Sequence, residues 1–252
     1  MDIAGSRILI TGGARGLGRD FAFDLAAAGA RVGVCDMDAD GLSTLATEAA
    51  ERGTSVWTSQ ADVSDEASVE RLFADFVAQA GGIDAVVNNA GLNRDGLLIK
   101  KSGDTLVKLP LAKWQAVIDV DLTGVFLCAR EAAYHMVAQG SGGVIVSVSS
   151  LSRQGNVGQT NYSAAKAGVV AMTRTWAMEL SRYGIRAVAV SPGLTATEMA
   201  LSMPEEARAR LTESIPLRRM GKPEEVSHAV RFALENDFIN GRTIDIDGGL
   251  RL

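Results

Sequence analysis

The chain has 252 residues, 47% hydrophobic and 22% charged, with a formal net charge of -5, the make-up of an ordinary globular chain in one large or two small domains. That mild, dispersed acidity gives no electrostatic reason to bind nucleic acid or an anionic membrane. No apolar run approaches the roughly 18 to 20 residues of a membrane span, and residues 1–5 do not begin a basic-then-apolar leader, so a cytoplasmic protein is expected.

Short apolar runs then alternate with longer amphipathic stretches. A strand over 7–10 leads to a helix over 16–28, a strand over 31–35 to a helix over 38–51, and a strand over 55–60 to a helix over 66–79. The rhythm continues with a strand over 83–88, a helix over 111–138, a strand over 144–148 and a helix over 161–182. A strand over 185–190, a helix over 223–234 and a strand over 243–246 complete it. This is the βα alternation of a parallel sheet. Its seven strands are β-branched and apolar throughout, as strands buried on both faces are. Gly29, Gly53 and Gly184 follow helical stretches, where a left-handed terminating residue is needed.

Two segments break the rhythm. Residues 97–109 read as two extended runs around Ser102-Gly103-Asp104, an inserted hairpin beside the site or a subunit contact. Residues 195–220 are long for a loop, and loops of that size often act as lids over a substrate. With no Pro/Ser-rich linker, 1–252 is expected to form one domain. Cys35 and Cys128 stand in no redox or metal spacing and read as small buried apolar residues. His135 and His228 lie alone in helices, and no metal-ligand cluster is visible.

In an open parallel sheet, ligands bind beyond the carboxyl ends of the strands. The polar and Gly-rich signals sit there. Thr11-Gly12-Gly13-Ala14-Arg15-Gly16-Leu17-Gly18 follows the first strand, Asp36 the second, Asp62-Val63 the third and Asn88-Asn89-Ala90-Gly91 the fourth. Ser149 ends the fifth, and Pro192-Gly193 ends the sixth. Glycines after a strand let backbone amides approach a pyrophosphate, and the next helix offers its free N–H groups to that anion. A Gly-rich turn is equally often just a tight connection, so its weight comes from the strand and helix around it. Asp36 is placed to accept from both hydroxyls of an adenosine ribose and to repel a 2′-phosphate; its other reading, capping the next helix, is one that Asp38 serves as well. Arg15 argues for the phosphate instead. A carboxylate beside a phosphate is costly in any case, so NAD(H) is favoured and NADP(H) is the alternative.

Tyr162 and Lys166 are four apart on a helix and share a face. An ammonium beside a phenol favours phenolate, lowering its pKa from about 10 toward working pH and making a tunable acid/base. Alone, such a pair more often marks a solvated helix face. Ser149, at a strand end, changes that balance, because its hydroxyl can reach the same substrate oxygen.

Taken in order, the Gly-rich loop, Asn88-Asn89-Ala90-Gly91, Ser149, Tyr162-Ser-Ala-Ala-Lys166 and Pro192-Gly193 resemble the short-chain dehydrogenase/reductase family over nearly the whole chain. Gly158-Gln159-Thr160-Asn161-Tyr162 and Ile246-Asp247-Gly248-Gly249 are similar to segments of 3-oxoacyl carrier-protein reductases and acetoacetyl-CoA reductases. The resemblance implies an α/β, Rossmann-type doubly wound fold with a seven-stranded parallel sheet, assembled as a homotetramer. It implies that Tyr162 exchanges a proton with the carbonyl or alcohol oxygen, that Ser149 hydrogen-bonds that oxygen, and that Lys166 tunes Tyr162 and holds the nicotinamide ribose. Asp62 and Val63 would contact adenine, Asn89 and Gly91 would flank the ribose, and Thr197 would bind the carboxamide or pyrophosphate. Hydride transfer belongs to the cofactor, and no metal is required.

Two departures stand out. Asp121-Leu122-Thr123-Gly124 carries Asp where the family usually has an Asn that relays protons to the active Lys. The 97–109 segment is longer than in the carrier-protein reductases, and with 195–220 it shapes the substrate pocket, which Arg153, Gln154 and Asn156 are also placed to face. The expected activity is oxidoreduction between NAD(H) and a small or cyclic secondary alcohol or ketone. NADPH-dependent 3-oxoacyl thioester reduction is the enzymatic alternative, and a non-catalytic nucleotide-binding sensor or scaffold is the alternative of another class.

Overall fold

Seven of the apolar runs pair into one parallel sheet in a computed structural model that describes residues 1–251, the side chain of Met199 excepted. In chain order the first half comprises β1 (Arg7–Thr11), α1 (Gly16–Ala27), β2 (Arg31–Asp36), α2 (Ala39–Glu51), β3 (Val56–Gln60), α3 (Glu66–Ala80) and β4 (Ala85–Asn88). A hairpin, β5 (Ile99–Ser102) and β6 (Thr105–Lys108), precedes α4 (Leu111–Ile118), α5 (Val125–Gln139), β7 (Gly143–Val148) and α6 (Thr160–Glu179). The chain ends with β8 (Ile185–Pro192), α7 (Glu198–Leu201), α8 (Glu205–Ser214), α9 (Pro223–Glu235) and β9 (Thr243–Ile246).

The strand order is β3-β2-β1-β4-β7-β8-β9, the Rossmann-type doubly wound arrangement. The chain builds outward from β1 to β3, then crosses to the other side of β1 at β4. That reversal opens a crevice beyond the carboxyl ends of β1 and β4, where a doubly wound sheet binds ligands.

Because successive strand residues point to opposite faces, Ile8, Ile10, Val34, Val87 and Val146 pack with Phe21 and Leu25 of α1 and with Val226 and Val230 of α9. On the other face Leu9, Val86 and Ile145 pack with Phe73 and Phe76 of α3 and Met136 of α5. Full burial of such a side chain contributes about 1.5 to 3 kcal/mol, so both helical layers are held to a sheet apolar on both sides. Cys35 and Cys128 are buried in the second layer. Burial pushes the Cys35 thiol up to about 12, which makes it an apolar filler at physiological pH.

The expected left-handed glycines are present at Gly29, Gly53 and Gly184, with φ of 89°, 74° and 71°. The 97–109 hairpin also forms, antiparallel, with Ile99 opposite Lys108 and Ser102 opposite Thr105.

Three expectations need correction. The helix over 111–138 is not continuous: a π-helical segment, Asp119–Gly124, separates α4 from α5. It turns Asp121 inward to a buried partner, and it brings Gly124 so close to Val63 that an added Cβ would lie 2.9 Å from that side chain. The helix over 161–182 ends at Glu179, and a single tight 3-10 turn covers Ser181–Tyr183. Residues 195–220 are not an unstructured loop but carry α7 and α8. The α8 sequence EEARARLTES buries no residue, so the apolar stripe that announces a surface helix is missing. Among the described residues, no helix is long and apolar enough to cross a membrane.

Candidate active site

At the crevice, the turns after β1 and β4 are tied to each other. The Thr11 hydroxyl accepts from the backbone N–H of Asn89 and of Ala90, each at 3.1 Å. In return the Asn89 amide donates to the carbonyls of Thr11 (3.1 Å) and Gly12 (2.7 Å). Asn89, expected beside the cofactor ribose, therefore spends its amide hydrogens on the Gly-rich loop. The approach leaves no room for side chains, since a Cβ on Gly12 would lie 2.5 Å from the Ala90 Cα.

Gly16 opens α1 with φ 56°, and exposed Arg15 supplies no side-chain cap. The first-turn N–H groups, including those of Leu17 and Gly18, are thus left for an anion, as a helix start beneath a pyrophosphate requires. The Asp36 carboxylate accepts from the N–H of Ala14 at 3.0 Å and of Asp38 at 3.1 Å. Asp38 caps α2 by accepting from Gly41, so Asp36 is relieved of that duty and sits against the Gly-rich loop. These features fit a dinucleotide.

The remaining predicted contacts ring the same end of the sheet. Asp62 accepts from the N–H and hydroxyl of Ser64 at 2.9 and 2.7 Å through one carboxylate oxygen. Val63 is buried in the α3/α5 layer. Gly193 donates to Ile246 on the last strand at 2.9 Å, and a Cβ there would meet the Asp247 backbone at 2.8 Å. Pro192 is buried at the end of β8, and Thr197 is half-buried at the start of α7.

Four predicted catalytic groups converge beside β7. Lys166 and Asp121 are buried, 3% and 0% exposed, and form an ion pair at 3.1 Å. The second Lys166 contact is the Val148 carbonyl at 3.1 Å. Its ammonium lies 5.4 Å from the centre of the half-buried Tyr162 ring. Burial works to lower the Lys166 pKa, but the charge of Asp121, with Tyr162 adding to it, holds the ammonium above its ordinary value. Asp121 also accepts from the N–H of Leu92 at 2.8 Å. Gly91 is the residue that lets this pair form, since its Cβ would stand 2.7 Å from the Asp121 carboxylate. The Ser149 hydroxyl donates to the Lys166 carbonyl at 2.9 Å, which joins the end of β7 to α6.

Arg153 does not face the pocket. Its guanidinium grips both Asp245 carboxylate oxygens on β9, at 2.9 and 3.0 Å, and the Ser191 hydroxyl on β8. One guanidinium nitrogen takes both carboxylate oxygens and the other takes the Ser191 hydroxyl and the Ser150 carbonyl, so Arg153 fixes the turn after Ser149 to the neighbouring strands. Gln154 and Asn156 are exposed.

Asn161 is a site residue that periodicity does not reveal. Fully buried, it donates to the carbonyls of Arg94 (3.2 Å) and Lys113 (3.0 Å) and accepts from the N–H of Tyr162 (2.9 Å). Helix α6 is thereby registered against the strand-end loop and α4. Removing one partner of a buried hydrogen bond costs about 1 to 3 kcal/mol. Asn161→Ala is expected to lose about 2 to 4 kcal/mol of unfolding free energy in urea; a loss below the error of such a titration would remove Asn161 from this role.

A family model described as enoyl-(acyl carrier protein) reductase matches residues 12–251. The 3-oxoacyl-[acyl-carrier-protein] reductase of Thermotoga maritima is 38% identical over 252 residues, 99% of each chain. The (3R)-3-hydroxyacyl-CoA dehydrogenase of Mus musculus is 38% identical, over 96% of this chain and 95% of that one. The solved structure of levodione reductase superposes with a TM-score of 0.88 at 35% identity, covering 98% of this chain and 97% of the other.

Proposed function

The chain belongs to the short-chain dehydrogenase/reductase family of oxidoreductases acting on keto and hydroxy groups, and we propose that it interconverts a 3-oxoacyl and a 3-hydroxyacyl thioester with NAD(H). The observation that carries the reading is the buried Lys166 held between Asp121 and Tyr162 beside Ser149, at the mouth of the nucleotide crevice. A sensor needs no such pair.

When bound, the nicotinamide supplies or accepts the hydride. The chain's own residues handle the proton. In reduction Tyr162 donates its phenolic proton to the carbonyl oxygen as negative charge develops there, while the Ser149 hydroxyl turns its hydrogen from the Lys166 carbonyl to the same oxygen. The Lys166 ammonium stabilises the phenolate left behind, and Asp121 keeps that ammonium charged and in place. Gly12, Gly16, Leu17, Gly18 and Arg15 would surround the pyrophosphate, Asp36 the adenosine ribose, Asp62 and Val63 the adenine, and Asn89, Gly91, Lys166, Pro192, Gly193 and Thr197 the nicotinamide half.

The thioester substrate is supported by relatives named for 3-oxoacyl and 3-hydroxyacyl thioesters, and it displaces the small secondary alcohol favoured on sequence alone. The likeness to levodione reductase keeps a small ketone as the second reading. NAD(H) rather than NADP(H) rests on Asp36, whose carboxylate beside Ala14 leaves a 2′-phosphate facing a like charge. With one 3-oxoacyl thioester as substrate, kcat/KM is expected to be about tenfold or more higher with NADH than with NADPH, and Asp36→Ser should narrow the gap. A preference for NADPH in the unaltered enzyme would defeat the ribose assignment.

A further inference from the structure

The β5–β6 hairpin has no part in the chemistry described, yet it stands out from the chain in two respects. Its eight strand residues are all exposed, among them Ile99 at 53%, Leu106 at 68% and Val107 at 48%, with Leu97 and Leu98 at its base 46% and 65% exposed. It also concentrates positive charge: Lys100, Lys101 and Lys108 against Asp104 alone, in a chain with 25 basic and 30 acidic residues.

Register sorts these side chains onto faces. Ile99 pairs with Lys108 and Lys101 with Leu106, so one face presents two aliphatic and two cationic groups in a diagonal pattern. Lys100 and Val107 share the other face. The strand residues on both faces are exposed.

The base of the hairpin is fixed to the reactive site. The Gly96 N–H donates to the Gly158 carbonyl at 2.8 Å, and the Gln159 amide reaches the Asp95 carboxylate at 3.2 Å. Both partners lie in the segment that runs into Asn161 and Tyr162. The apolar and cationic strip therefore stands on the segment that leads into Tyr162.

We propose that this hairpin binds the phosphorylated, nucleotide-bearing half of a coenzyme A thioester, which makes coenzyme A the carrier of the acyl group. The proposal rests on the thioester reading above. Ammonium groups serve phosphates as point charges, and the aliphatic side chains offer contact to the pantetheine arm. The charge sits on strands of four residues, about 13 Å long. That span suits the phosphates of one small molecule, whereas an acidic carrier protein would need about 800 Å² on each partner.

The test compares the acetoacetyl thioesters of coenzyme A, N-acetylcysteamine and acyl carrier protein, with NADH, in the unaltered enzyme and in Lys100→Glu/Lys101→Glu/Lys108→Glu. All three replacements are at exposed positions. The expected result is a KM for acetoacetyl-CoA at least tenfold below that for the phosphate-free N-acetylcysteamine thioester, rising about tenfold or more in the triple variant. Its kcat should stay within twofold, and the N-acetylcysteamine KM should not move. Equal KM values for these two substrates, unaffected by the triple variant, would overturn the role of the hairpin while leaving the thioester reading intact. A variant effect confined to the carrier-protein substrate would overturn coenzyme A as occupant. Reduction of a simple ketone with no turnover of any thioester would defeat the thioester reading and this proposal with it.

Discussion

Tyr162→Phe is expected to lower kcat by about 10³-fold, within the 10² to 10⁴ that a positioned general acid/base contributes, with NADH binding unchanged. The variant isolates the hydroxyl, because the ring that Lys166 approaches at 5.4 Å remains, as does the backbone N–H that donates to Asn161 at 2.9 Å. Ser149 and Lys166 cannot substitute for the missing proton. The Ser149 hydroxyl donates to the Lys166 carbonyl, and the Lys166 ammonium is committed to Asp121 and Val148. A residual rate from hydride transfer without proton donation is expected, since position and cofactor chemistry are untouched. The measurements are kcat with a saturating 3-oxoacyl thioester and the dissociation constant of NADH by fluorescence titration. Turnover within tenfold of the unaltered enzyme would remove Tyr162 from proton transfer.

The parts of this site that could be read before folding are those in which one local rule acts alone. Strand runs such as Arg7–Thr11 and Gly143–Val148 carry the apolar signature of a doubly covered sheet, and the Gly-rich turn stands between a strand and a helix, the context a nucleotide loop requires. Features set by contacts distant in sequence were not legible. The π-helical segment Asp119–Gly124 looks like uninterrupted helix in periodicity; what turns it is the demand of a buried carboxylate for Lys166, 45 positions later, and for the Leu92 N–H. Arg153 is expected to face the pocket, yet Asp245, 92 residues away, claims it. Asn161 shows no signal beyond standing before Tyr162, because both carbonyls it serves belong to other segments.

Asp121 gives the second large effect, and its sign follows from the Lys166 pair. In the unaltered protein the folded-state pKa of Lys166 lies above its ordinary 10.5. The pair therefore contributes its full stability below pH 10.5 and loses it only as pH rises through that higher folded value. Asp121→Ala leaves an ammonium that is 3% exposed without its counter-charge, a change that costs about 3 to 5 kcal/mol for buried pairs. Burial then dominates and pulls the folded pKa below the unfolded one, so the unfolded chain binds the extra proton and stability rises with pH. The deficit of Asp121→Ala relative to the unaltered protein is accordingly expected to be largest near pH 6 to 7 and to shrink toward pH 10 in urea titrations. A deficit independent of pH would mean that Asp121 matters through packing alone. Asp121→Asn keeps the shape and removes the charge, so burial lowers the Lys166 pKa without opposition from Asp121 and less ammonium remains to stabilise the Tyr162 phenolate. The alkaline rise of alcohol oxidation should begin at higher pH in this variant than in the unaltered enzyme, while an unmoved profile would take Asp121 out of the proton path and leave it as an anchor for Lys166.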